Sequence, residues 1–382
     1  MRVESERAMA GVLITLAIAL CGAGVALVLH VPVPWFTGPL LAIAFANMAA
    51  RKLRAVPYAR DAGQWIIGTA LGLYFTPDVV RMVLHLAPWI AANLAFCVVL
   101  GGVGALLLRR FTHESGTTSF FAMAIGGASE MAAQAERFGA RVDRVAAAHS
   151  LRMMMVALIV PFALQTAGVH GADPYEPAGR TFDPVGFLVL LAVTGGGAIV
   201  LLRLRAPNVF MIGPLLVTAA ITAAGITLSS LPTPVVNSGQ VLIGIALGTR
   251  FSPEFFRAAP GYLTVVAAIT LIYLALAALF GWAVATLSGL NPATAILATT
   301  PGGIGEMAIT AKLLKLGAPI VTAFHSIRMA ALVMIIGAVY RIARMKIGRA
   351  GADAPTASDT SPGQVSAGDP TPVARSAKRG EQ

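Results

Sequence analysis

The sequence predicts an all-α, polytopic integral membrane protein built from two tandem repeats of one unit. Three observations predict this: apolar runs long enough to span a bilayer, basic residues gathered at the ends of those runs, and three motifs that each occur twice at one spacing. Of 382 residues, 57% are hydrophobic and 12% charged, with a mean hydropathy of +0.78. A soluble domain carries about 25% charge. Met9 to Val28 is a stretch of 20 residues without a charge, and Val265 to Leu287 one of 23. About 20 residues at 1.5 Å each cross the hydrocarbon core as a helix.

Along the chain, apolar segments fall near 8–30, 33–50, 61–75, 87–108, 117–134 and 145–168. A second set falls near 183–202, 208–228, 237–251, 260–287, 294–313 and 319–341. The first membrane repeat is accordingly 1–168 and the second 183–345, joined by a polar extracytoplasmic loop at 169–182. Residues 346–382 turn to Ala, Gly, Ser, Pro, Asp and Arg, which predicts a disordered cytoplasmic tail. Leu20 before Cys21 fits a lipoprotein signal poorly, and the first apolar run is expected to be a retained anchor.

The two sets match residue by residue. Gly63 to Pro77 aligns with Gly239 to Pro253, identical at nine of fifteen positions. Gly126-Gly-Ala-Ser-Glu-Met-Ala132 aligns with Gly302-Gly-Ile-Gly-Glu-Met-Ala308, and His149-Ser-Leu-Arg-Met153 with His325-Ser-Ile-Arg-Met329. All three pairs share an offset of 176 residues, so no net insertion separates the motifs.

The formal charge of +11 would suit a nucleic-acid partner, but its distribution does not. Basic residues flank the apolar runs, as in Arg51, Lys52, Arg54 and Arg60, Arg109 and Arg110, or Arg341, Arg344, Lys346 and Arg349. That is the signature of cytoplasmic loops. No polar segment is long enough for a helix-turn-helix module, so the expected partner is the lipid bilayer and not nucleic acid. With the N-terminus inside, Arg51 to Arg60 and Arg109 to Arg110 also fall inside. If 117–134 crossed, Arg137, Arg141 and Arg144 would fall outside. If it dips in and returns, they stay inside. Each unit then has five crossings plus one broken or re-entrant segment, and the odd number inverts the second unit. Ten crossings in a bacterial inner membrane with both termini cytoplasmic is the favoured expectation. Twelve crossings with parallel units is the alternative. Lys312 and Lys315 are the exceptions, since inversion puts them outside.

Gly126-Gly127 and Gly302-Gly303 interrupt apolar segments at equivalent places. Broken backbone at membrane depth survives only where protein or a polar cavity satisfies it, and paired interruptions point to a transporter's midplane site. The alternative is close helix packing, which is favoured for Gly68, Gly72, Gly244 and Gly248 in their small-xxx-small spacing. Glu130 and Glu306 each follow three residues after the second glycine. Ionisable groups at this depth cost about 2.5–3.5 kcal/mol on insertion scales, so they face partners or cavities. His149 and Arg152, like His325 and Arg328, are three apart and share a helix face. Glu130 is expected to meet the first pair and Glu306 the second, forming a cluster able to bind an anion or relay a proton. The alternative has the arginines snorkelling and the histidines satisfied in the core. Gln64 and Gln240 occupy equivalent places and are secondary candidates, ranked as helix-helix glue ahead of ligand binding. Cys21 and Cys97 lie within apolar runs, and no phosphate loop, HExxH or Cys-Cys pair occurs, so neither a metal nor a cofactor is expected.

The doubled blocks G-Q-x-x-I-G-x-A-L-G, G-G-x-[SG]-E-M-A and H-S-[LI]-R-M resemble the AbrB membrane-protein family, over roughly residues 8–345. Members of that family are described variously as ammonia monooxygenases, transporters and regulators of aidB expression. The resemblance also implies kinship with inverted-repeat ion transporters. Three functions follow as expectations. The first is a secondary-transporter-like permease for an unidentified small solute or ion, possible as a homo-oligomer. The second is a membrane component that influences gene expression. The third is a membrane monooxygenase, ranked last because such chemistry needs clustered metal ligands and the six histidines are scattered.

Overall fold

The computed structural model describes residues 2–49, 53, 56–172, 175–178, 181–251, 253 and 259–352. Among them are fifteen helices and no strand. The first set comprises α1 (Arg2–Val28), α2 (Pro34–Met48), α3 (Ala59–Gly72), α4 (Pro77–His85), α5 (Ala87–Thr112), α6 (Gly116–Met123), α7 (Ala128–Arg137) and α8 (Val142–Thr166). The second comprises α9 (Pro184–Arg203), α10 (Val209–Ala223), α11 (Thr233–Gly248), α12 (Pro260–Ser288), α13 (Pro292–Thr299), α14 (Ile304–Leu313) and α15 (Ala318–Ala352). The chain is a polytopic all-α membrane protein. Six helices, α1, α5, α8, α9, α12 and α15, are long and apolar enough to cross a bilayer, and α3 with α4 makes a further pair bent by 93°. Helices α10 and α11 are apolar but shorter. Helix α15 runs to Ala352, and the rest of the expected tail, 353–382, lies outside the described residues.

Local chemistry sets the helix boundaries. Pro34, Pro77, Pro184, Pro260 and Pro292 begin helices, where the missing N–H is no loss. The Asp183 carboxylate caps α9 by accepting from the Gly186 N–H at 2.7 Å, and the Asn291 side chain caps α13 at Ala293 at 2.9 Å. Exposed apolar side chains such as Leu13, Val99, Val193, Leu279 and Met334 stud the long helices, as lipid-facing surfaces require.

The two sets interleave. Helix α3 packs on α11, α10 packs on α3 as α2 packs on α11, and α1 lies on α2 as α9 lies on α10. Glycines set these approaches. A Cβ at Gly244 would sit 2.6 Å from the carbonyl oxygen of Phe36, and one at Gly68 would sit 2.5 Å from that of Met211. Gly248 meets Leu40 O and Gly72 meets Leu215 O in the same way, at 2.7 and 2.9 Å. Backbones this close admit no side chain, which is the packing role expected of the small-xxx-small pairs.

Helices α5 and α12 run in opposite directions. Tyr262, at the start of α12, donates its hydroxyl to Arg144 O at 3.0 Å. Glu114, just past the end of α5, lies 3.3 Å from the same Arg144. The start of α12 and the end of α5 therefore share one end of α8. At the other end, Leu86 and Ile90 from the start of α5 share a core with Val160, Leu314 and Leu316. Arg141 caps the start of α8, whereas Gly171, beyond its end, donates to Leu314 O at 2.9 Å. Helix α8 has 25 residues and so is about 37 Å long at 1.5 Å per residue. Arg141 and the end of α14, where Lys312 lies, are that far apart along it.

Candidate functional site

Both segments interrupted by Gly-Gly are broken helices. Helix α6 stops at Ala124 (φ −54°, ψ 139°), and α7 restarts after Gly127 (φ −68°, ψ 141°). Helix α13 stops at Thr300 (φ −58°, ψ 138°), and α14 restarts after Gly303 (φ −76°, ψ 154°). Each break exposes the last carbonyls of one half-helix and the first N–H groups of the next.

The carbonyls are met by arginine. Arg152 Nη2 donates to Ala124 O at 3.1 Å, with Met123 O 3.5 Å from Nη1. Arg328 Nη1 donates to Thr300 O and Nη2 to Gly302 O, both at 2.8 Å. Each guanidinium also holds its own helix neighbour: Arg152 Nη2 lies 3.0 Å from His149 Nδ1, and Arg328 Nη2 lies 3.0 Å from His325 Nδ1. His149 Nε2 is 2.9 Å from Phe121 O, and His325 Nε2 is 3.0 Å from Leu297 O. A carbonyl only accepts, so Nε2 carries the proton. Arginine only donates, so Nδ1 accepts. Ala124 and Thr300, Phe121 and Leu297, and the two His-Arg pairs are related by the same 176-residue offset, whereas the remaining carbonyl differs, Met123 O in the first half and Gly302 O in the second.

This corrects the expected pairing. The arginines turn to backbone and histidine, and not to Glu130 and Glu306. Snorkelling is equally absent, since Arg152 is 3% and Arg328 5% exposed. A cation at a helix C-terminus is favoured by the dipole, and buried carbonyls need donors. Both conditions are met here at once. Both histidines are fully buried with both ring nitrogens engaged, so they are structural spacers between arginine and carbonyl.

The glutamates occupy the third position of α7 and α14. Each carboxylate folds back over the glycine that precedes its helix, so a Cβ at Gly127 or Gly303 would collide with Glu130 or Glu306 respectively. There the resemblance between the halves ends. Glu130 is half-buried, accepting from Asn208 N–H at 3.2 Å and from the Ser129 hydroxyl at 3.2 Å. Glu306 is buried, 9% exposed, and the cations that bear on it are Arg60 and Arg250.

The two breaks meet at one cavity of about 60 Å³. Gly126, Gly127 and Arg152 line it from the first half, and Gly302, Gly303, Glu306 and Arg328 from the second. Of the remaining candidates, Gln64 lines it, while Gln240, buried in α11, is not among its lining residues. His149 and His325 stand behind the arginines, and Glu130 lies in a neighbouring cleft with Arg60, Gln64 and Asn208. Arg60, Asn208 and Arg250 also line the cavity and were not among the candidates. Arg60 precedes Gln64 by four residues, which puts both on one face of α3 and could have drawn it in. The position of Asn208 depends on the fold of the α9–α10 connection, where its φ is 48°.

A family model described as "Transition state regulatory protein AbrB" matches residues 35–344. The chain belongs to the AbrB family. Among AbrB-family relatives, it is 25% identical over 319 residues to "Putative regulator AbrB" of Escherichia coli (strain K12), covering 82% of this chain and 91% of that protein. It is likewise 25% identical over 356 residues to "Uncharacterized protein YhjN" of Bacillus subtilis (strain 168), covering 86% and 91%. Two of the three motifs that led to AbrB build the breaks and their arginine clamps, and the third lies in α3 and α11, which pack on each other.

Proposed function

We propose that this AbrB-family chain is a secondary-transporter-like permease whose solute binds where the two broken segments meet. One observation carries the reading: the broken helices of both halves of the chain expose their ends to a single cavity lined by four arginines and one glutamate. Interrupted helices at a repeat interface are the recurrent design of midplane transport sites. The start of α8, with Arg141 and Arg144, is the cytoplasmic end under the positive-inside rule, and Arg250 bonds Ser150 about two turns in from it. Arg60 and Asn208 line both the central cavity and the cleft holding Glu130, so the site is reached from that side. The membrane is then a bacterial inner membrane, with both termini cytoplasmic.

The test is uptake by purified full-length protein in proteoliposomes, screened over small organic anions, cations and neutral solutes with and without a pH gradient. Saturable, protein-dependent uptake supports the reading, and Glu306→Gln should alter its dependence on the gradient. Flux indistinguishable from empty liposomes for every solute would sink it. A second reading, a membrane component that influences gene expression through a solute it senses, is favoured by the name of the Escherichia coli relative. It predicts solute binding without flux.

A further inference from the structure

We infer that the solute is a small organic carboxylate, held between Arg60 and Arg250 at the mouth of the cavity and Arg152 and Arg328 at its back. The inference rests on the permease reading only for what the site is for, not for what it binds.

Four guanidinium groups and one carboxylate, that of Glu306, are the charged side chains lining this cavity. Among the described residues, none of the four arginines lies within 4.0 Å of a carboxylate oxygen; the ion pairs present involve Arg81, Arg141 and Arg144. Arg152 and Arg328 are buried, Arg60 and Arg250 are half-buried, and Glu306 is the one carboxylate in the lining, so the cavity carries an excess of positive charge that an anionic ligand would offset. Arg152 and Arg328 line the same cavity with like charge, which an anion between them would offset. Their carbonyl bonds occupy only part of each five-donor fork. Arg250 holds Ser150 Oγ at 3.3 Å and Arg60 holds Ser129 Oγ at 3.4 Å, both weak tethers that leave donors for a ligand. The half-helices α7 and α14 begin at glycines in the lining, and their N-terminal dipoles add to the same sign.

The remaining wall chooses among anions. Met153, Met211, Ile243 and Leu247 supply an apolar side that hydrated sulfate or chloride would not use. Planar forks match a carboxylate in two-point contact. A volume of about 60 Å³ takes only a handful of water-sized groups, which limits the solute to a few carbons.

The test is ligand binding to the purified full-length chain in detergent, by thermal shift and calorimetry at constant ionic strength. The probes are carboxylates of two to five carbons, sodium sulfate, ammonium chloride and choline chloride. Carboxylates should stabilise saturably, with sulfate weaker. Arg60→Gln and Arg250→Gln should each raise the dissociation constant about tenfold or more, the value of a charge-assisted bond. Arg250→Lys should fall between, and exposed Arg81→Gln should match wild type. Saturable stabilisation by ammonium or choline alone, by sulfate alone, or by none of the probes overturns the inference. So does unchanged affinity in both glutamine variants. Carboxylate binding without flux in proteoliposomes would overturn the permease reading and leave this one standing. Flux of a cation without carboxylate binding would do the reverse.

Discussion

Arg328 holds both lips of the second break, donating to Thr300 O and Gly302 O at 2.8 Å each. The broken backbone therefore depends on a side chain from a different helix. Arg328→Met keeps the apolar stem and removes the donors. It should destabilise the protein by about 2–5 kcal/mol, the cost of stranding two buried carbonyls. Thermal unfolding in detergent reads this as a lowered midpoint. An unchanged midpoint would mean that water serves the carbonyls equally well.

His149 and His325 make the same two bonds in the two halves. His149→Phe and His325→Phe should therefore each lose about 1–3 kcal/mol, the penalty for an unsatisfied buried polar group. The losses should be similar. Were one histidine essential for flux yet neutral for stability, its role would be chemical and not structural.

Gly127 and Gly303 admit a folded-back carboxylate. Gly303→Ala should be worse than Gly127→Ala, because Glu306 is enclosed and Glu130 can swing outward. Overpacking costs about 1–3 kcal/mol. Adding Glu306→Ala to Gly303→Ala should restore part of the loss in thermal unfolding. No rescue would show that backbone, and not the carboxylate, demands glycine there.

Gly248 lies against the Leu40 carbonyl, whereas Gly24 has open space around its Cα. Gly248→Ala should separate α11 from α2 and destabilise by about 1–3 kcal/mol, while Gly24→Ala should be neutral or slightly stabilising. Comparing the two midpoints controls for the change in helix propensity.

Much of this was legible in the sequence because periodicity and loop charge are local signals. The uncharged runs gave the long spans, and Gly126-Gly127 and Gly302-Gly303 gave the breaks. Side-chain partners were not legible. Opposite charges suggested that Glu130 and Glu306 would pair with Arg152 and Arg328. The arginines instead satisfy carbonyls that exist as acceptors only because the helix breaks, a demand visible once the backbone path is known. Arg60 stood among the loop-flanking basic residues, and its place on the Gln64 face of α3 was the one local signal joining it to the site, whereas nothing near Arg250 in the sequence marks it as cavity-lining. Gln64 and Gln240 are equivalent in sequence, yet only Gln64 lines the cavity, while Gln240 is buried in α11.

The account stands or falls on two halves of opposite orientation meeting at one site. Arg141 and Lys312 mark it best, since they sit at opposite ends of α8 on the two segments that follow the breaks. Arg141→Cys and Lys312→Cys, each in a chain lacking Cys21 and Cys97, should be labelled by an impermeant maleimide from opposite faces of sealed, oriented membrane vesicles. Arg141→Cys should react only from the cytoplasmic face and Lys312→Cys only from the other. Labelling of both from the same face would contradict the inverted arrangement and the site built on it.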